Sequence, residues 1–76
     1  MMEPEWEDLA HSIVLRAVED YRTARWKVRH LPDQFEARAT IAEVEEFLLS
    51  PWFAQLTSVD GEWLLGRLRK EVVYAR

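Results

Sequence analysis

The chain has 76 residues, of which 49% are hydrophobic and 32% charged, with two Gly and three Pro. This is the composition of one small globular domain and not of a disordered segment. There is no Cys, which excludes a disulfide framework and a thiolate metal site. The net charge of −4 argues against general affinity for nucleic acid or anionic membranes.

The opening stretch Met1–Asp8 is acidic and lacks the apolar run of a signal peptide. No stretch approaches the ~18 apolar residues of a membrane span. These features and the missing Cys predict a cytoplasmic protein.

The first predicted helix runs from about Pro4 to Arg29. Pro4 suits the first helical position, where no N–H is needed. Glu5, Glu7 and Asp8 lie at the positive end of the helix dipole; Lys27, Arg29 and His30 lie at the negative end. Trp6, Leu9, Ala10, Ile13, Val14, Ala17, Tyr21, Ala24, Val28 and Leu31 recur at three- and four-residue spacing and predict one apolar stripe. Ala10, Ala17 and Ala24 would let a partner helix approach closely. Leu15 and Trp26 fall off the stripe. At 1.5 Å per residue this helix is roughly 40 Å long. That exceeds what two shorter helices cover, so part of the stripe is expected to meet a second copy of the chain.

Leu31-Pro32-Asp33 ends the helix, because Pro32 disfavours the helical conformation at Leu31. A second helix is predicted from about Asp33 to Leu49. Ala37, Ile41, Val44 and Leu48 make its main face, with Phe47 beside them. Phe35, Ala42 and Leu49 make a second, weaker face. Two apolar faces place a helix centrally in its domain or against another chain.

Ser50 and Pro51 stop this helix and start a short third one, to about Leu56, with Ser50 as N-cap and Pro51 as the first helical residue. Thr57 or Asp60 is expected to cap the last helix, from about Asp60 to Tyr74. Gly61 fits the turn before it. Leu64, Leu65, Leu68, Val72 and Ala75 form its face. Gly66 inside a helix costs up to ~1 kcal/mol relative to Ala, which points to close packing by another helix. Trp63 and Arg67 form an i,i+4 pair off that face, suited to a cation–π contact. No segment alternates long enough to be a strand. The predicted class is all-α: an antiparallel hairpin of two helices, a short corner helix, and a C-terminal helix packed across the hairpin.

Chemistry finds little footing. His11 and His30 are more than ~25 Å apart on an ideal helix and cannot share a metal. Glu19-Asp20 and Glu45-Glu46 are neighbours on helices and point about 100° apart, so they do not converge for acid–base work. Ser12, Ser50 and Ser58 have no nucleophile motif around them. No catalytic residue, cofactor or metal is expected. Residues 51–69 resemble a helix-turn-helix in spacing, which keeps a DNA-binding regulator as an alternative. Asp60 and Glu62 would stand where such proteins meet DNA. A third reading, an acidic nucleic-acid mimic, fits poorly with ten basic residues among 14 acidic ones.

The segment Glu45–Arg69 carries Phe47, then Ser50, Trp52-Phe53, Leu56 and Asp60-Gly61-Glu62, followed by a Leu/Arg helix. It resembles the C-terminal pattern of small proteins in prophages and mobile elements of Gram-positive bacteria, Phe-Phe-x-Ser-x-Trp-Phe-x-x-Leu-x-x-x-Asp-Gly-Glu. Leu48 stands where that pattern has a second Phe. The resemblance implies a prophage or mobile-element setting and supplies no site. The functional expectation is a non-enzymatic, homodimeric protein–protein interaction module. Trp26, Trp63, Arg67 and Tyr74 are its candidate interface residues; Trp6 and Trp52 are assigned to the core.

Overall fold

A computed structural model describes residues 4–71, with side chains from Asp8 onward. It is all-α: α1 (Pro4–His30), α2 (Phe35–Leu48), α3 (Pro51–Leu56) and α4 (Gly61–Lys70). None of these helices is long and apolar enough to cross a membrane. The side chain of Trp6, and Val72, Tyr74 and Ala75, lie outside the described residues. So does the expected continuation of the last helix to Tyr74; α4 ends at Lys70 and Glu71 is extended.

The connection between α1 and α2 is tight. Asp33 takes φ 52°, in the left-handed region that Asp tolerates better than most residues. That conformation cannot continue a helix. The second helix therefore begins at Phe35, with Gln34 as N-cap, two residues later than the sequence suggests. α1 and α2 pack side by side as a hairpin, α4 packs on α2, and α3 contacts both α1 and α2.

The core is built from Val18, Tyr21, Val44, Leu48, Phe53, Leu65 and Leu68, flanked by Val14, Ala17, Ile41, Phe47 and Leu64. Phe47 and Phe53 meet edge to face at 5.6 Å, the arrangement aromatic quadrupoles favour. The predicted α1 stripe includes Leu9 and leaves out Val18, and the structure reverses both assignments. Leu9 is exposed and Val18 is buried. At about 100° per residue, Leu9 lies about 120° from Tyr21 around the helix and Val18 only about 60°. The true stripe is centred on Tyr21. Near the start of α1, Ala10 is only 4% exposed. At the other end of the predicted stripe, Leu31 is 43% exposed. Trp52, assigned to the core, is 51% exposed; Phe53, one residue on, is buried instead.

Polar side chains tie the helices together. The Tyr21 hydroxyl on α1 donates to Glu45 Oε2 on α2 at 2.9 Å, and the Arg69 guanidinium on α4 reaches the same oxygen at 3.3 Å. Burial, then the hydrogen bond to Glu45, raises the Tyr21 pKa. The bond to Glu45 also raises that of Arg69. Arg25 donates to the carbonyls of Leu68 and of Arg69, closing the C-terminus of α4. Arg22 binds Glu71 through two bonds of 2.9 and 2.8 Å, which lowers the Glu71 pKa.

Candidate interaction surface

The chain direction around α3 and α4 is set by two caps. Ser50 Oγ accepts from the Phe53 N–H at 3.3 Å and donates to the Phe47 carbonyl at 2.6 Å. Pro51 follows as the first residue of α3. Asp60 Oδ1 accepts from the N–H groups of Glu62 and Trp63, at 2.9 and 3.3 Å, and so caps α4. Thr57 serves the turn itself, its Oγ1 accepting from the Val59 N–H. Gly61 is needed for a spatial reason. A Cβ there would overlap the backbone carbonyl of Leu48, so α4 starts in direct contact with the end of α2.

With its start fixed this way, α4 buries Leu65 and Leu68 and turns Trp63 outward, 59% exposed. The Arg67 guanidinium lies over the Trp63 ring at 5.7 Å from its centroid. Residues 63, 66, 67 and 70 follow the i, i+3, i+4, i+7 spacing of one helix face. That face therefore carries Trp63, Gly66, Arg67 and Lys70. The sequence suggested that Gly66 marks close packing by another helix. Among the described residues nothing lies within 4 Å of where its Cβ would be, so none of the described helices packs there. The glycine leaves a shallow gap beside an exposed indole and two cations.

The other candidates are placed differently. Trp26 is half-buried and its ring meets His30 at 5.1 Å, tilted by 42°. Its indole nitrogen is buried without a hydrogen-bond partner among the described residues. It belongs to the α1 end of the hairpin and forms no aromatic pair with Trp63. Tyr74 lies outside the described residues.

A second exposed surface was only partly legible. Phe35 is 83% exposed and Leu49 53% exposed, one at each end of α2. Ala39, Ala42 and Glu46 between them are exposed as well. The weaker apolar face of α2 therefore points to solvent, away from the core face of Ala37, Val44 and Leu48.

Groups able to do chemistry are dispersed. His11 and His30 are both exposed. Among the described residues no three His, Asp or Glu side chains are grouped to hold a metal ion. The polar cluster that joins α1, α2 and α4, Tyr21–Glu45–Arg69, is internally satisfied. No protein-family model, curated protein or solved structure matches the chain.

Proposed function

We propose that this chain is a non-enzymatic helical module that works by protein–protein contact through the outer face of α4. The observation that carries this reading is the Trp63–Arg67 pair. A large indole stands 59% exposed beneath a guanidinium, on a helix whose start is fixed by Asp60 and by contact with α2. Trp and Arg are the residues most enriched in interface hot spots. A rigid helix presents them with little ordering cost on binding. Arg67 and Lys70 flank the ring, so the partner surface is apolar at its centre and acidic around it. The setting we propose is the bacterial cytoplasm, with a prophage or mobile element as the source, on the resemblance of Glu45–Arg69.

The DNA-binding alternative is less well supported. The Asp60 carboxylate occupies the N-terminus of α4, where a helix would otherwise receive a phosphate. Arg22, Arg25 and Arg69 are engaged with carboxylates or carbonyls of the chain itself. Acidic and basic side chains also alternate, as in Arg16–Asp20, Arg22–Glu71 and Arg69–Glu45, which counts against an acidic mimic of nucleic acid.

The test compares wild type with Trp63→Ala and Arg67→Ala in quantitative capture from a bacterial lysate, beside a low-salt gel shift with duplex DNA. Loss of a captured protein by roughly tenfold or more in Trp63→Ala, with helical content unchanged, is the expected result. A salt-sensitive DNA shift abolished by Arg67→Ala would overturn it.

A further inference from the structure

We infer that the outer face of α2 is the seat of a second copy of this chain, docked antiparallel about a two-fold axis near Ala42. The inference shares with the preceding section only the premise of protein contact, and it uses a different surface.

At about 100° per residue, Phe35, Ala39, Ala42, Glu46 and Leu49 fall within about 40° of one line along α2. Val44, at the centre of the buried face, lies about 180° from that line. All five outer residues are exposed. The face has a large apolar residue at each end, small residues in the middle, and Arg38 and Glu46 flanking the middle. Its layout is symmetric about Ala42. Phe35 and Leu49 stand seven residues to either side, and Arg38 and Glu46 four residues to either side. Two antiparallel copies crossing at Ala42 place Phe35 of one against Leu49 of the other, twice. They also place Arg38 against Glu46, twice, with the Ala42 side chains small enough for close approach at the axis. Such a contact is isologous, as a two-fold interface must be.

Charge selects this orientation. A parallel pairing would set Arg38 against Arg38 and Glu46 against Glu46, and like charges across a helix pair are unfavourable. Neither Arg38 nor Glu46 forms an ion pair among the described residues. The exposed apolar residues also continue past both ends of the helix. Leu31 precedes Phe35 and Trp52 follows Leu49, both exposed. In the antiparallel arrangement the Leu31/Phe35 end of one copy meets the Leu49/Trp52 end of the other. A single 14-residue helix is about 21 Å long. The contact is therefore at the small end of specific interfaces, and the dimer is expected to be weak, on the order of micromolar.

Sedimentation equilibrium of the full chain over roughly 1 to 300 µM tests this. The expected result is an average mass rising from 9.1 kDa toward twice that value. Ala42→Glu sets two carboxylates across the axis and should weaken the dimer at least tenfold, with circular dichroism unchanged. Phe35→Ser, at the most exposed apolar position, provides a second disruption. Arg38→Glu alone and Glu46→Arg alone should each be monomeric. The double variant, or an equimolar mixture of the two single variants, should regain the dimer, because each then restores opposite charges across the axis. A wild type that stays at 9.1 kDa throughout overturns the inference and leaves the α4 reading standing. A dimer that survives Ala42→Glu and Phe35→Ser overturns this face. Failure of the charge exchange to rescue dimerisation overturns the antiparallel register.

Discussion

Tyr21 and Glu45 join α1 to α2 by a 2.9 Å hydrogen bond, in which a buried phenol donates to a carboxylate that also receives Arg69 from α4. The phenol is held above its ordinary pKa by burial first and by Glu45 second. The unfolded chain releases this proton near pH 10 and the folded chain only at higher pH. The stabilisation is therefore complete below about pH 10 and is lost as the pH rises through the folded value. Chemical unfolding followed against pH should show the midpoint falling above about pH 10. Tyr21→Phe should flatten that fall and cost about 1 kcal/mol at neutral pH. An alkaline limb that persists unchanged in Tyr21→Phe would assign it to other groups.

The contrast between Tyr21 and its surroundings shows what the sequence could convey. Helical spacing placed Tyr21, Val44, Leu48, Leu65 and Leu68 on buried faces, because burial follows the 3.6-residue period closely. The corner was legible too, since Ser50, Pro51 and Asp60 act through local backbone bonds. Local spacing also suffices for the Trp63–Arg67 stack. Contacts between distant segments were not legible. Arg25 reaching the end of α4 and Arg22 reaching Glu71 span 43 and 49 residues. Nothing in their own neighbourhoods signals such partners. Trp52 was misplaced because hydrophobicity alone does not tell which of two adjacent aromatics faces inward. On the first turn of α3 only Phe53 points at the core.

The two glycines of α4 should respond in opposite directions to the same substitution. A Cβ at Gly61 would overlap the Leu48 carbonyl, which is backbone and cannot move aside cheaply. Gly61→Ala should therefore cost about 2 kcal/mol or more, as forced overlap in a packed region does. At Gly66 a Cβ meets none of the described residues within 4 Å. Gly66→Ala should stabilise by up to about 1 kcal/mol, the helix propensity difference. Thermal unfolding of the two variants beside wild type checks both signs. If Gly66 serves as a gap for a partner on α4, the same variant that unfolds at higher temperature should bind that partner less well.

Asp60 contributes to stability through α4 alone, because its two hydrogen bonds are to Glu62 and Trp63. Loss of an N-cap side chain typically costs about 1 kcal/mol. Asp60→Ala should lower stability by that amount, whereas Asp60→Ser should retain most of it. Thr57→Ala removes only the bond to the Val59 N–H in an exposed turn and should cost less. Equal losses at the two positions would mean that the turn, and not the cap, holds α4 in place.

Arg25 governs the other end of α4. Its guanidinium is half-buried, stands over the Tyr21 ring at 5.8 Å, and donates to two successive backbone carbonyls, Leu68 and Arg69. These carbonyls belong to the last turn of α4, where acceptors lack the usual helical partners; that of Leu68 also accepts from the Glu71 N–H at 3.2 Å. A charged donor there also opposes the negative end of the helix dipole. Charged hydrogen bonds of this kind are worth about 1.5–3 kcal/mol. Arg25→Met keeps much of the stem packing and removes the fork, so it should cost an amount in that range. Arg25→Lys should recover only part, since an ammonium cannot span two carbonyls in the same planar geometry. Hydrogen exchange distinguishes a local effect from a global one. In Arg25→Met the amides of α4 should lose protection before those of α1 and α2, which remain joined through Tyr21 and Glu45. Uniform loss across all helices would show instead that α4 does not open separately, and that Trp63 and Arg67 are presented only when the whole domain is folded.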